Sequence, residues 1–295
     1  MFQDVGASTV FDSFLSGSSF RDVITTFNQL CSLLNLDPTD PENFFFNLTE
    51  SLTSWKAQNL KELFRKRALQ PEYGQQKLCC NARVLIVGAG PCGLRMAIEC
   101  ALLGCKTVVV EKRARFTRNN VLHIWPFLIE DLRSLGAKLF YPKFCPGSIN
   151  HISICHLQYI LLKVALLLGV EIHEGVSVVQ LVPPTNHEDG IISGWRAEVS
   201  PRSHQLTDYE FDVFVNANGQ HTGVPGIRWK EFRGKLAIAI TANFVNNHTE
   251  DEERVPEISG VAYIFKQQFF RQMREKTGID LENIVYYKDE THYFV

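Results

Sequence analysis

An α/β fold built around a nucleotide-binding βαβ unit is what this 295-residue sequence predicts, and three observations in one stretch predict it. Between Arg83 and Arg113 an apolar run (Val84 to Val87) leads directly into a glycine-rich turn with Gly88, Gly90 and Gly93 in G-x-G-x-x-G spacing. Small and apolar residues follow to Leu103, as in a helix that packs closely on a sheet. A second apolar run then ends on Glu111, an acid placed about 20 residues beyond the turn.

Each part of that stretch has a physical task. Gly88 permits the sharp exit from the strand, Gly90 lets backbone approach a pyrophosphate, and Gly93 lets the helix lie close to the sheet. Pro91 fits the first helical turn, where its missing N–H would have had no partner. The free N–H groups there, together with the helix dipole, favour phosphate. A carboxylate at Glu111 accepts hydrogen bonds from both ribose hydroxyls and repels a 2′-phosphate, so the adenosine half expected here is that of FAD or NAD, not NADP.

The rest of the chain bounds the context. Its length suits one large or two ordinary domains, and a 45% hydrophobic content supplies a core. A net charge of −2 gives no global drive towards nucleic acid or membrane. Eight cysteines without a C-x-x-C pair read as reduced, cytosolic thiols. The N-terminus lacks the features of a signal peptide, so the sequons at Asn47 and Asn247 read as chance matches. The longest apolar run, Ile160 to Val170, is interrupted by Lys163 and is too short to span a bilayer. These features predict a soluble intracellular protein. No metal-ligand spacing and no G-x-S-x-G motif appears, and His151 and His156 have no paired carboxylate.

In chain order, residues 1–78 read as a helical cap. Phe20 to Leu34 repeats apolar residues at helical spacing and stops at Asp37-Pro38. Thr53 to Leu69 is a second helix with Trp55, Leu60, Leu63 and Phe64 on one side, and its terminal Arg65-Lys66-Arg67 is expected to oppose the helix dipole. After Glu111, the cationic loop Lys112 to Asn120 is expected to meet phosphate or flavin, then to enter a helix through His123, Ile124 and Trp125. His123 reads as a hydrogen-bonded structural histidine, and Trp125 either packs on a flavin or fills the core. His151 to Gly169 reads as a helix. Strands are expected at Val170 to His173, Val176 to Val182, Trp195 to Val199 and Tyr209 to Val215, with a polar loop at Asn186 to Gly190. Lys235 to Phe244, Val261 to Phe265 and Val285 to Val295 are further strand candidates, and Gln267 to Lys276 is a helix. The abrupt end inside strand-like sequence reads as that of a fragment or truncated product.

Several long strings narrow this reading. R-V-L-I-V-G-A-G-P-C-G-L-R, V-V-V-E-K-R, R-N-N-V-L-H-I-W-P-F, H-I-S-I-C-H-L-Q, E-F-R-G-K-L-A-I-A-I-T-A-N-F and G-I-D-L-E-N-I-V-Y-Y-K-D-E-T-H-Y-F-V closely resemble the flavoprotein monooxygenase domain of the MICAL family. The resemblance implies a Rossmann-type FAD/NAD(P)-binding fold of the flavin hydroxylase kind, with a helical N-terminal cap at 1–78. It further implies an FAD-binding domain at 79–225 and an incomplete antiparallel-sheet substrate domain at 226–295. It implies FAD as cofactor and NADPH as electron donor. The implied activity is oxidation of F-actin methionines to the sulfoxide, or release of hydrogen peroxide, promoting filament disassembly. The implied setting is the cytoplasm at the cytoskeleton, with the nucleus as a further compartment, and F-actin is the partner, with neither nucleic acid nor membrane. Cofactor contacts carry over to Cys92, Glu111, Arg113, Arg118 and Asn120, beside Gly88, Gly90 and Gly93.

Two departures accompany the resemblance. Where the family has G-A-D-G-R-R, this chain has Asn216-Ala217-Asn218-Gly219-Gln220-His221, which removes a carboxylate and two fixed cations. The family's later Gly-Asp segment, which contacts the ribityl and pyrophosphate groups, is expected beyond residue 295. The second reading is accordingly a catalytically impaired FAD-binding or protein-interaction module. An NAD-dependent dehydrogenase is disfavoured, because no catalytic dyad follows the nucleotide unit.

Overall fold

The computed structural model describes residues 2–40, 43–141, 151–185, 193–219, 228, 230–234 and 238–295, with backbone only for 2–5 and 259. In chain order the helices and strands are α1 (Phe2–Ser16), α2 (Phe20–Leu34), α3 (Phe44–Ser51), α4 (Trp55–Ala68), β1 (Arg83–Val87), α5 (Pro91–Leu102), β2 (Lys106–Glu111), β3 (Val121–His123), α6 (Pro126–Ser134), α7 (Ala137–Phe140), β4 (His151–Ser153) and α8 (Ile154–Leu167). They continue with β5 (Glu171–Glu174), β6 (Ser177–Val182), β7 (Arg196–Ser200), β8 (Val213–Asn216), β9 (Ala242–Val245), α9 (Glu250–Arg254), β10 (Ile258–Ala262), α10 (Gln267–Thr277), β11 (Asn283–Lys288) and β12 (Thr291–Phe294). The chain divides into two compact units: Met1–Phe116, Glu130–Pro142 and His156–Trp229 form the first, and Thr117–Ile129, Lys143–Cys155 and Lys230–Val295 the second.

The first unit holds a parallel sheet in the order β5-β2-β1-β8, with Val87 opposite Val110 on one side and Asn216 on the other. Its central strands are apolar on both faces, as a parallel sheet covered on both sides requires. Leu85, Val87, Val108 and Val110 pack with Val176, Phe211 and the β7 residues Ala197 and Val199, β7 being paired antiparallel with β6. Helix α5 packs against β1 and β2 and buries Leu94, Ala97 and Ile98.

The N-terminal helices of this unit build a phenylalanine-rich core. Helix α2 begins as its spacing predicts: the Ser19 side chain accepts the Asp22 N–H at 3.0 Å, and Phe20, Val23, Phe27 and Leu30 are buried on one stripe. The Phe27 ring lies 5.8 Å from Phe14 and 5.9 Å from Phe44, which joins α2 to α1 and α3. Helix α4 buries Ala57, Leu60 and Phe64, but Trp55 is 68% exposed, contrary to expectation. Two residues ahead of Ala57 on a helix is more than half a turn round, so Trp55 leaves the buried stripe. Arg67 does more than oppose the dipole. It bonds Asp131 at 3.0 Å and both the Tyr73 and Ser134 hydroxyls at 3.1 Å, and Arg95 closes on the same Asp131 at 2.8 Å.

Two expected helices begin later than predicted. Residues 121–123 and 151–153 pair as the short antiparallel β3–β4, Val121 opposite Ser153 and His123 opposite His151. Helix α6 starts only at Pro126, which biases Trp125 towards extended backbone and suits a first helical position. Trp125 is 71% exposed and fills no core. Helix α8 starts at Ile154, and all its residues from His156 to Leu167 are buried.

In the second unit an antiparallel sheet runs β10-β11-β12-β9. The strand expected over Lys235 to Phe244 is paired only from Ala242. Its partner β12 spans four residues, Thr291 opposite Val245 through Phe294 opposite Ala242, so the ladder extends no further back. Ile238 and Ile240 are accordingly 94% and 76% exposed, and 235–237 lie outside the described residues. The strand expected at Val261 to Phe265 is shifted to Ile258–Ala262, because pairing with β11 starts at Ile258 opposite Tyr286. A turn then carries the Phe265 N–H back to the Ala262 carbonyl. Helix α10 ends on the left-handed Gly278, close to where its sequence predicts.

Candidate functional site

At the carboxyl end of β1 the chain makes a turn that only its own sequence allows. Gly88 has φ of +103°, and a Cβ there would stand 2.8 Å from the Ala217 carbonyl oxygen; one on Gly93 would stand 1.9 Å from that of Gly88. The Ala217 N–H donates to the Val87 carbonyl at 2.8 Å, so the segment after β8 closes one side of the turn. Among the described residues the other side is open: a Cβ on Gly90 would meet nothing within 4 Å, and no side chain caps the N-terminus of α5. The first N–H groups of α5 and the exposed Cys92 therefore border space that suits a phosphate.

Glu111 is held against this turn. One carboxylate oxygen accepts the Ala89 N–H at 2.9 Å and the other accepts the Arg113 N–H at 3.0 Å. The sequence predicts an acceptor for two ribose hydroxyls. In the structure each oxygen already has a backbone donor and keeps a second lone pair for a ligand. The Ala89 carbonyl takes the amide of buried Gln158 at 2.9 Å, fixing the turn from α8. Gln158 escaped the sequence reading; its only signal is a polar residue within an apolar helix.

Gly88, Gly90, Cys92, Gly93, Glu111 and Arg113 thus gather in the first unit, around the uncapped N-terminus of α5 and the Glu111 carboxylate held beside it. Arg118 and Asn120 belong to the second unit. Their carbonyls accept the Cys155 and Ile154 N–H groups at 3.0 and 2.9 Å. Arg113 and Arg118 are exposed, and among the described residues neither forms an ion pair. Asn218 is half-buried and donates its N–H to the Asn216 side chain at 3.2 Å, whereas Gln220 and His221 lie outside the described residues.

The second unit contains a cluster that the sequence reading reached through His123 and His151, the latter without the carboxylate neighbour that Glu257 supplies. The His123 imidazole pairs with the Tyr287 hydroxyl, and the Tyr287 ring stacks 4.5 Å from that of His151. His151 in turn stands 3.6 Å from Glu257. Burial, aided by Glu257, pushes the Tyr287 phenol up. Among the described residues no group of three or more His, Cys, Asp or Glu side chains is placed to hold a metal, and no helix is long and apolar enough to cross a membrane.

Residues 81–124 match the family model for an FAD binding domain, a span that includes every cofactor-binding residue expected from the sequence, and 236–295 match the Mical Rossman domain. Mouse [F-actin]-monooxygenase MICAL2 is 56% identical over 98% of this chain. Zebrafish protein-methionine sulfoxide oxidase mical3b is likewise 56% identical over 98%. The chain spans 15% of the former and 17% of the latter. Among solved structures, a tetrameric form of 2-methyl-3-hydroxypyridine-5-carboxylic acid oxygenase matches with a TM-score of 0.40 at 16% identity, covering 72% of this chain and 57% of that one. The parallel-sheet nucleotide unit is of the Rossmann type and its cofactor is FAD; the chain belongs to the MICAL family.

Proposed function

We propose that the chain forms the nucleotide-binding part of an FAD-dependent, NADPH-using monooxygenase that oxidises methionine residues of F-actin to the sulfoxide, or releases hydrogen peroxide, and so promotes filament disassembly. The single observation that carries the cofactor half of this reading is the pairing of an open, uncapped α5 N-terminus with a Glu111 carboxylate oriented by two backbone N–H groups. Bound FAD supplies the redox chemistry, taking electrons from NADPH and passing them to oxygen. The chain's own residues bind and orient it. The backbone N–H groups of Gly90 and Cys92 would hold the pyrophosphate, Glu111 would take the ribose, and Arg113 would serve the adenosine end. On this reading 1–78 caps an FAD-binding domain at 79–225, and 226–295 belongs to the substrate domain. The place of action is the cytoskeleton in the cytoplasm. A polar sulfoxide in place of an apolar thioether disrupts the contact that the methionine made.

A second reading is favoured by Asn218, which stands where flavin hydroxylases carry the Asp of an Asp-Gly pair. It makes the chain an FAD-binding module with impaired reduction. One experiment separates the two: purify the chain, record its visible spectrum, and add NADPH without oxygen. Flavin absorption that bleaches supports the monooxygenase. Flavin that persists supports the second reading, and Asn218→Asp with Gln220→Arg and His221→Arg is then expected to restore bleaching. A colourless folded protein that takes up no added FAD refutes both.

A further inference from the structure

Three cysteines unused by the nucleotide site meet at the other end of β1 and β2. Helix α5 ends in a left-handed Gly104 with φ of +91°, whose N–H donates to the Ala101 carbonyl at 3.0 Å, while the Cys105 N–H donates to the Cys100 carbonyl at 2.9 Å. That hydrogen-bond pair sets the side chains of residues 100 and 105 against each other. Cys79 arrives from the segment before β1, its N–H on the Leu103 carbonyl at 3.0 Å. The Lys106 N–H donates to the Ala82 carbonyl at 3.0 Å, so the segment that carries Cys79 runs beside the one that carries Cys105, and the Cys105 thiol senses those of Cys79 and Cys100. All three are free; Cys100 and Cys105 are buried, and Cys79 alone is half-exposed.

We propose that Cys79 and Cys105 form an oxidation-sensitive thiol pair, a modification site for hydroperoxides that closes to a disulfide around β1, the phosphate turn and α5. Accessibility sets the order of events. The Cys79 sulfur attacks hydrogen peroxide: an S–O bond forms, the O–O bond breaks, and the departing hydroxide leaves as water with the thiol proton. The Cys105 sulfur then attacks that of the Cys79 sulfenic acid. An S–S bond forms, the S–O bond breaks, and the second hydroxide leaves as water with the Cys105 proton. Two thiols lose two electrons and two protons, and one peroxide becomes two waters. Burial pushes the Cys105 thiol up to about 12, which makes it a poor first target; the nearness of the Cys79 segment offsets its small thiolate fraction in the closing step. No step needs the flavin.

The test is peptide mapping of the full 295-residue chain after treatment with hydrogen peroxide and alkylation under non-reducing conditions. The expected result is a mass loss of about 2 Da, the two hydrogens of a disulfide, and a peptide linking Cys79 to Cys105 that dithiothreitol releases. Cys80→Ser is expected to keep the link and Cys79→Ser to abolish it, leaving Cys105 open to alkylation after unfolding. A link between Cys100 and Cys105 instead, a Cys79 that stops at sulfinic acid, or a Cys79 alkylated in full would each overturn the proposal.

Discussion

The Glu111 carboxylate has two backbone donors before any ligand arrives, which fixes its orientation and leaves one lone pair on each oxygen. Replacing it by glutamine turns one acceptor into a donor facing an N–H. Glu111→Gln is expected to raise the Kd for FAD roughly tenfold or more, the scale of one charge-assisted hydrogen bond, as read by quenching of flavin fluorescence; an unchanged Kd removes Glu111 from the site. Lys163 is the opposite case, a buried amine with no carboxylate partner among the described residues. It is fully buried in α8, donates to the Leu15 carbonyl at 2.6 Å, and lies 4.7 Å from the Tyr141 ring centre. Burial pushes its pKa down from 10.5 to about 7. Between those two values the unfolded chain holds a proton that the folded chain has lost, so stability rises with pH across the window, by up to ~1.4 kcal/mol per pH unit. Below about pH 7 both forms are protonated and the full cost of the buried charge is felt. Lys163→Met is expected to flatten the dependence, and urea titrations at pH 7 and pH 9 measure it. An equal slope in the variant would assign the effect to other groups.

Among the elements, the phosphate turn separates folding from binding within a few residues. A methyl group on Gly93 collides with the Gly88 carbonyl, so Gly93→Ala is expected to cost about 3 kcal/mol or more and to lower the melting temperature sharply. Gly90→Ala meets nothing, and its φ of −71° suits any residue, so the apoprotein should melt within a few degrees of wild type. The same methyl occupies the space kept for phosphate, and FAD affinity is expected to fall at least tenfold. Equal FAD binding in both proteins would move the phosphate elsewhere. Elements with strong local signals, such as α2 with its Ser19 cap and α5 with Pro91, stand close to where the sequence predicts. The three-residue strands β3 and β4 do not, because each exists only through a partner some 30 positions away in the chain. No local periodicity encodes such a pair.

At the scale of the whole molecule, each unit holds together through side chains from segments far apart in sequence. In the first, Asp131 on α6 takes Arg95 from α5 and Arg67 from α4. Burial works to raise the Asp131 pKa, but Arg95 and Arg67 outweigh it and hold the carboxyl below its ordinary 3.8. A depressed pKa contributes stability that is present above the unfolded value and is lost as pH falls through the folded one. Asp131→Asn is expected to cost about 1–3 kcal/mol at pH 7 and to remove that part of the acid sensitivity, measured as denaturation midpoints at pH 7 and pH 3. A variant as acid-sensitive as wild type would place the sensitivity in other carboxylates.

By itself the sequence determined the βαβ unit, its glycine turn and the acid at Glu111, because these depend on spacing within some thirty residues and on steric rules that act locally. It also determined the family, through strings long enough to be specific. Only the tertiary structure decided that Glu111 is oriented by Ala89 and Arg113, that Gln158 pins the turn, that His123 meets Tyr287, and that the segment of Cys79 runs beside that of Cys105. Those contacts arise where separate strands and helices are brought side by side by burial of their apolar faces, and burial carries no record in the local sequence of which polar group will face which.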